Sequence, residues 1–144
     1  MNIVFQTHFN LGSERYVTVK VVNRSAWVHI RQFIKHRERI YPTTLGVYLS
    51  SDQFRNLLDL IMDINYNVHK FRDGKMESFK YHLGNNVYIS SGEGCHASRI
   101  RIYFQYNPKK IIKPGIALRF SEWNKLVDLM VDIKNKVECN VEHC

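Results

Sequence analysis

The feature of this sequence that most constrains its fold is an internal repeat. Residues 49–68 (LSSDQFRNLLDLIMDINYNV) align without gaps on residues 118–137 (LRFSEWNKLVDLMVDIKNKV), at an offset of 69. Shorter matches continue upstream: Gly46 with Gly115, Ile30-Arg31 with Ile100-Arg101, and Leu11-Gly12 with Leu83-Gly84. Each half of a 144-residue chain is too small to bury a large core alone, so we expect the two halves to pack on each other.

Periodicity predicts the order of elements within each repeat. β-branched and aromatic residues with partial alternation predict strands at 15–22 and 26–35, with counterparts at 87–90 and 99–106. Pro42 and Pro114 predict turns that lead into a short last strand, at 46–49 or 115–118. Apolar residues at helical spacing then predict one helix per repeat, capped by Ser50 with Gln53 in the first repeat and by Ser121 in the second.

These elements predict an α+β chain organised as a tandem pair. The first strand-rich repeat with its closing helix covers residues 1–70, and a polar linker with an Asp-Gly turn signal covers 71–78. The second repeat, with its closing helix and a short tail, covers 79–144. The apolar stripes of the two helices are expected to pack behind the sheets and to join the repeats.

The charge of the chain is unevenly distributed. The net charge is +8, and residues 1–50 and 71–119 carry +5 and +6, whereas the helical portions 51–70 and 120–144 carry −1 and −2. The excess positive charge therefore lies on strands and loops, which favours an acidic partner, above all nucleic acid, bound on the sheets. The amino terminus lacks a secretory leader and no apolar run reaches membrane-spanning length, so we expect no secretion and no membrane partner.

Aromatic side chains are interleaved with these cations, as single-strand binding requires, because cations track phosphates while exposed bases stack on rings. The aromatic residues are Trp27, Phe33, Tyr41, Tyr103, Phe104 and Tyr106, beside Arg24, Arg31, Lys35, Arg99, Arg101, Lys109 and Lys110. The alternative interpretation places the rings in the core or on edge strands and the cations on a solvated face. The recurrence of the arrangement in both halves favours the binding interpretation.

Both repeats resemble one known family, the single-stranded-DNA-binding domain of the transcriptional positive cofactor four. The resemblance covers residues 9–68, through FNLGSERYVTVKV, WVHIRQF and GVYLSSDQFRNLLDLIMDI, and residues 81–137, through YHLGNNVYIS, RIRIYF, KPGIAL and EWNKLVDLMVDI. It implies a curved four-stranded antiparallel sheet followed by one helix in each repeat. It also implies that one chain supplies both halves of the family's DNA-gripping dimer, as an intramolecular pseudo-dimer located in the nucleus.

The resemblance also implies site residues. The family's DNA-contacting arginine looks like Arg31 and Arg101, and the aromatic residue after it looks like Phe104. Lys20 resembles a basic contact at the end of a strand, and Lys113 one before the last strand. The family's second-strand tryptophan falls on Ile34, so the first repeat is expected either to bind less well or to stack through Trp27 instead.

Catalytic and metal-binding interpretations find little support. The carboxylates Asp59, Asp63, Asp128 and Asp132 share helix faces at i, i+4 spacing, which is more typical of a solvated face than of a two-metal or acid/base pair. Cys139, His143 and Cys144 lack the spacing of a zinc site, and the three cysteines are interpreted as free thiols. We therefore expect no enzyme and neither metal nor cofactor.

The leading hypothesis is sequence-tolerant binding of single-stranded DNA in transcription, replication or repair. The second is a protein-interaction module of the transcription machinery, which would keep its function when Arg31 and Arg101 are neutralised. The third is RNA binding, which the same surface would permit because stacking does not read the sugar.

Overall fold

The computed structural model describes residues 4–92, 98–107, 109 and 114–142. Within these parts the chain forms four strands and a helix, twice. The first repeat contains β1 (Val4–Gly12), β2 (Arg15–Val22), β3 (Ser25–His36), β4 (Arg39–Ser50) and α1 (Ser51–Arg72). The second contains β5 (Phe79–Gly84), β6 (Val87–Ser91), β7 (Ile100–Phe104), β8 (Gly115–Leu118) and α2 (Phe120–Glu142). Neither described helix combines the length and the apolar character needed to cross a bilayer.

Each repeat forms its own antiparallel sheet, with strands adjacent in chain order: β1-β2-β3-β4 in the first and β5-β6-β7-β8 in the second. The β2–β3 hairpin closes through Asn23 and Arg24, whose φ angles are 49° and 65°. Two successive positive φ angles give the turn that matches the right-handed twist of antiparallel strands. The prediction of two four-stranded antiparallel sheets, each followed by one helix, is confirmed.

The first repeat departs from prediction at Pro42. The sequence predicts a turn there, but β4 begins at Arg39, and Pro42 lies inside the strand opposite Phe33. The chain instead reverses at Arg37 and Glu38, where φ is 49° and 67°. Proline is tolerated because β4 is an edge strand, in which a missing N–H need not break a ladder hydrogen bond. The prediction of a turn at Pro42 is therefore wrong.

Both helices begin with a side-chain cap. The Ser50 hydroxyl accepts from the Gln53 N–H, and the Gln53 side chain accepts from the Ser50 N–H at 2.8 Å, so the predicted capping box is confirmed. In α2, Glu122 Oε1 accepts from the Arg119 N–H at 2.7 Å, and Ser121 lies in the first turn. The prediction of Ser121 as the cap is wrong, because α2 already begins at Phe120 and Ser121 lies inside its first turn.

The helices pack across the boundary between the repeats. α2 lies mainly on β1, β2 and β3 of the first repeat, and α1 contacts β5 and β6 of the second as well as β3 and β4 of its own. The apolar residues of both helices and both sheets form one core. Trp123 is fully buried in it, and its Nε1 donates to Asn65 Oδ1 at 2.9 Å, which links α2 to α1. The two halves therefore share one hydrophobic core, as their small size requires.

The third residue of each helix also reaches the first hairpin of the other repeat. Gln53 Nε2 donates to the Gly84 carbonyl at 2.8 Å. At the matching position of α2, Glu122 accepts from Arg15 Nη1 at 2.9 Å. The Glu122 side chain is 1% exposed and that of Arg15 14%, so this pair lies almost wholly inside the protein. The link from α1 to the second repeat is thus a neutral hydrogen bond, whereas the link from α2 to the first repeat is an ion pair.

The strand pairing corrects one part of the repeat alignment. In the first sheet Tyr16 pairs with Arg31, and in the second Tyr88 pairs with Tyr103. Tyr16 and Tyr88 each follow the first hairpin of their repeat by the same number of residues, so Tyr103 is the counterpart of Arg31, at an offset of 72.

Backbone hydrogen bonds support the same register. The Phe33 N–H donates to the Glu14 carbonyl and the Gln105 N–H to the Asn86 carbonyl, both at 2.8 Å and both at an offset of 72. The counterpart of Arg101 is therefore His29 rather than Arg31. The alignment of the two Ile-Arg pairs is wrong by two residues, and the two repeats do not carry the same arginine.

Candidate nucleic-acid interface

The outer face of the first sheet, turned away from the shared core, carries four of the basic and aromatic candidates, Lys20, Trp27, Arg31 and Phe33. Alternate residues of β2 and β3 are buried in the core: Val17, Val19, Val21, Ala26, Val28 and Ile30. The side chains between them point outward, because a strand has a period of two. Lys20 lies opposite Trp27 in this face, and Arg31 lies opposite Gly46 of β4. A Cβ on Gly46 would lie 2.8 Å from Arg31 Cγ, so this glycine makes room for the arginine.

Lys20 and Arg31 help to line a groove of about 450 Å³, here called the cationic groove. Its lining residues are Gln6, His8, Thr18, Lys20, His29, Arg31, Phe33, Ile40 and Pro42. None of them is acidic, and among the residues that the structure describes neither Lys20 nor Arg31 has a carboxylate within ion-pair distance. Arg31 Nη1 donates to the Thr43 carbonyl at 2.9 Å, which fixes the direction of the guanidinium. The groove is thus a cationic surface in which the guanidinium of Arg31 has a fixed direction.

His29 lies between the two cations of the cationic groove. Its burial, followed by the charges of Lys20 and Arg31, lowers the pKa of its imidazole from the ordinary value of 6.5 to about 4. Both causes disfavour the protonated ring. His29 is therefore neutral at pH 7, and the positive charge of the groove comes from Lys20 and Arg31.

The outer face of the second sheet is built differently, from rings with cations over them. Lys80 Nζ lies 4.7 Å from the centroid of the Tyr88 ring, and the Arg101 guanidinium lies 4.8 Å from that of Tyr103. Tyr88 also stacks with His82 at 4.6 Å. Tyr103 is only 1% exposed, so a ring proposed for base stacking lies beneath Arg101 rather than at the surface. Cation–π attraction holds both cations on this face.

A row of aromatic rings crosses the boundary between the two sheets. Tyr48, on the outer face of β4, lies 6.0 Å from the Trp27 ring and 5.0 Å from the Phe104 ring of the second repeat. Phe104 in turn stacks on Tyr106 at 5.8 Å, with an angle of 11° between the rings. We call these four residues the seam row. It brings together three predicted aromatic candidates and Tyr48, which sequence reasoning missed.

The remaining predicted residues lie apart from these clusters. Arg24 lies in the β2–β3 turn and Lys35 near the end of β3, both exposed, whereas Arg99 is half-buried just before β7. Lys109 is exposed in the connection between β7 and β8. Lys110 and Lys113 lie outside the described residues, so their roles stay predictions.

The residues that sequence reasoning missed are His29, Tyr48, Lys80 and Tyr88. Each of them lies on a strand next to side chains that point into the core. The alternation of Val47, Tyr48 and Leu49 could therefore have placed Tyr48 on the outer face. The contacts between repeats had no such signal, because they depend on how the sheets meet.

The residues considered for chemistry other than binding are placed as follows. Asp59, Asp63, Asp128 and Asp132 are all exposed on the helices. In the described parts of the chain no group of three or more histidine, cysteine or acidic side chains is arranged to hold a metal ion. Cys139 takes part in a disulfide, so the interpretation of all three cysteines as free thiols is wrong.

Comparison with known proteins finds a family model that matches the first half of the chain and a relative that matches part of it. Residues 9–60 match the family model described as Transcriptional Coactivator p15 (PC4). A Caenorhabditis elegans protein described as "Putative RNA polymerase II transcriptional coactivator" is 36% identical over 59 residues, which is 40% of this chain. The chain spans about half of that relative's length, 48%. No solved structure matches. Residues 9–60, which supply β2, β3, β4 and most of the cationic groove, are thus similar to a transcriptional coactivator domain.

Proposed function

We propose that this protein binds single-stranded DNA on the outer faces of its two sheets and serves transcription in the nucleus. The observation that carries the proposal is the cationic groove, in which Lys20 and Arg31 flank a neutral His29 without an acidic lining residue. Phosphates would replace the missing carboxylate partners, and binding would release counterions from the nucleic acid.

The groove favours a single strand over a duplex because cations and rings lie on the same face. Lys20 lies directly opposite Trp27, and His29 opposite Tyr48, whose ring is 44% exposed. Unpaired bases can stack on such rings while the backbone follows the cations, whereas the bases of a duplex already stack on each other. Binding of this kind tolerates sequence, since every base has a face to stack.

The comparisons support the transcriptional part of the proposal. The family model and the nematode relative are both described as transcriptional coactivators, and the residues that the family model matches contain most of the cationic groove. Partners in the transcription machinery and a nuclear location are proposed on the same ground. Service in replication or repair would use the same interface.

Fluorescence anisotropy with a labelled strand of about 20 nucleotides tests the proposal, against the matching duplex and the matching RNA, at two salt concentrations. The test variant is Lys20→Ala/Arg31→Ala. The matched control is Arg55→Ala/Lys125→Ala, which removes the same charge from exposed positions on α1 and α2.

We expect salt-sensitive binding that prefers the DNA strand and disappears in the test variant but persists in the control. If binding weakened equally in both variants, it would depend only on the net charge of the protein and not on the cationic groove. Stronger binding of the matching RNA would identify RNA rather than DNA as the ligand. Absence of binding at low salt would overturn it and leave a protein partner as the better explanation.

A further inference from the structure

The seam row has no equivalent on the opposite side of the molecule. Under the strand register, the counterparts of Trp27 and Tyr48 are Arg99 and Ala117. The paired backbone bonds of Phe33 and Gln105 make Gln32 the counterpart of Phe104. The same offset of 72 places Ile34, within β3, at the position of Tyr106, which follows the end of β7. The same positions in the fold are therefore filled once by four rings and once by none.

The presence of rings on one side only distinguishes a structural role of the seam row from a binding role. If the contact between the sheets required aromatic packing, both sides of the pseudo-symmetric pair would carry it. The non-aromatic set, Arg99, Ala117, Gln32 and Ile34, occupies the corresponding positions in the same fold. Phe104 belongs to the shared core, but the exposed rings of Tyr48 and Tyr106 are therefore not demanded by the architecture.

Exposure points the same way. Tyr48 is 44% and Tyr106 is 67% exposed, although burial of an aromatic ring is strongly favourable. Trp27 is half-buried, and Phe104 is 9% exposed and supports the rings on either side of it. Large exposed rings in contact with one another form a surface to which flat ligands can stack.

The seam row adjoins the cationic groove. Trp27 lies opposite Lys20, and Tyr48 lies opposite His29, with 5.8 Å between the rings of Tyr48 and His29. A strand whose phosphates follow Lys20 and Arg31 would pass its bases over Trp27 and Tyr48 and, beyond Phe104, over Tyr106. The row thus continues the groove from the first repeat into the second.

We infer that the seam row is a base-stacking subsite through which a single strand crosses between the repeats on one side of the molecule only. This inference rests on the proposed function and deepens it. Because the opposite side lacks rings, the strand has one route, and its two directions along that route are no longer equivalent by symmetry. The pseudo-dimer then favours one polarity of the bound strand.

Tryptophan fluorescence offers a direct readout. The chain has two tryptophans, and Trp123 is fully buried, so base stacking should quench Trp27 alone. We expect oligothymidylate to quench the emission of the unmodified protein and an abasic strand of the same length to quench it much less. Trp27→Phe should abolish the quenching while keeping most of the affinity.

The affinity test uses Trp27→Ala/Tyr48→Ala, with Tyr66→Ala as the matched control, since Tyr66 is a 66% exposed ring on α1. The double variant should bind oligothymidylate about tenfold or more weakly, keep its salt slope, and bind the abasic strand as the unmodified protein does. The control should bind normally. Circular dichroism and thermal melting check that each variant is folded, and Trp27→Phe/Tyr48→Phe should restore affinity.

Several outcomes would overturn the inference. If the unmodified protein binds oligothymidylate without quenching, or if the double variant binds it with unchanged affinity, the rings are not a subsite although the proposed function stands. If binding of the abasic strand weakens equally, the variant has damaged the groove rather than stacking. If the unmodified protein binds no strand at all, the proposed function itself fails.

Strand polarity is checked with oligothymidylate labelled at its 5′ or 3′ end and an acceptor on a cysteine introduced at Asn107, next to Tyr106. The Tyr66→Cys variant provides the reference position. Transfer to Asn107→Cys should differ strongly between the two labels. Equal transfer from both ends would contradict a favoured polarity.

Discussion

The outer faces of the two sheets have the same order of strands but carry different side chains. On the first, Lys20 and Arg31 line an open groove around a neutral His29. On the second, Lys80 and Arg101 lie over tyrosine rings. A cation that already rests on a ring has part of its attraction satisfied, whereas the cations of the groove have no carboxylate partner among the described residues.

The repeats therefore share a fold without sharing a role. At the position where the first sheet has Arg31, the second has the buried Tyr103, and where the second has Arg101, the first has His29. The links that join the repeats differ in the same way, since one is a neutral hydrogen bond and the other a buried ion pair. Each difference can be tested by changing matched residues.

The greatest change is expected at the links between the repeats. Glu122→Ala leaves the guanidinium of Arg15 buried without its carboxylate, which should lower the free energy of unfolding by about 3–5 kcal/mol. Gln53→Ala, at the matching position, removes only neutral hydrogen bonds and should lower it by about 1–3 kcal/mol. Urea denaturation at 25 °C measures both values.

The exposed ion pair of Lys134 and Glu138 serves as a control for this measurement. Both side chains are more than 40% exposed, so Glu138→Gln should change the free energy of unfolding by less than about 1 kcal/mol. Equal effects of Glu122→Ala and Gln53→Ala would show that the charge of the buried link is unimportant for stability.

The next effect concerns binding. Lys20→Ala/Arg31→Ala should weaken binding of a single strand more than tenfold, and the slope of log affinity against log salt should fall by roughly 0.7 for each phosphate that the variant no longer neutralises. Lys80→Ala/Arg101→Ala should weaken binding by a smaller factor, because these cations are held over their rings. Salt titrations by anisotropy measure both, and the reverse order would contradict the assignment of the groove to the first sheet.

A smaller effect is expected from pH. Nearby phosphates would favour protonated His29 and raise its pKa above the value of about 4 in the free protein. Affinity for oligothymidylate, whose bases do not protonate in this range, should therefore rise a few-fold as the pH falls from about 6.5 towards 5. His29→Asn should flatten this dependence, and an unchanged profile in that variant would exclude His29 as its source.

His29 should also affect stability over the same pH range. Its pKa is lower in the folded protein than the ordinary value of 6.5 in an unfolded chain, so the unfolded state binds the proton first. The contribution is fully present above pH 6.5 and is lost as the pH falls from there towards about 4. Urea denaturation of the protein and of His29→Asn should diverge in that window, the variant losing less stability.

Sequence alone was sufficient for the architecture and for the general location of the charge. The gapless match of residues 49–68 to 118–137 predicted two helices that the structure confirms, and the Ser50 and Gln53 cap followed from local chemistry. Both are local features, which neighbouring residues determine through backbone hydrogen bonds and the spacing of apolar side chains. The four strands of each sheet were implied by resemblance rather than by periodicity, which missed β1, β5 and most of the length of β4.

Which residues meet one another became clear only from the tertiary structure. Offsets of 70 and 72 between β3 and β7 differ by two residues, the period of a strand, so both keep every side chain on its proper face and hydrophobic pattern alone cannot choose between them. The hydrogen-bonded register of the strands shows that the offset is 72. The counterpart of Arg31 is therefore Tyr103 and not a second arginine. Likewise, the contact of Tyr48 with Phe104 and the packing of α2 on the first sheet join residues far apart in sequence. Such contacts depend on how the two halves bury their common core, which no local segment specifies.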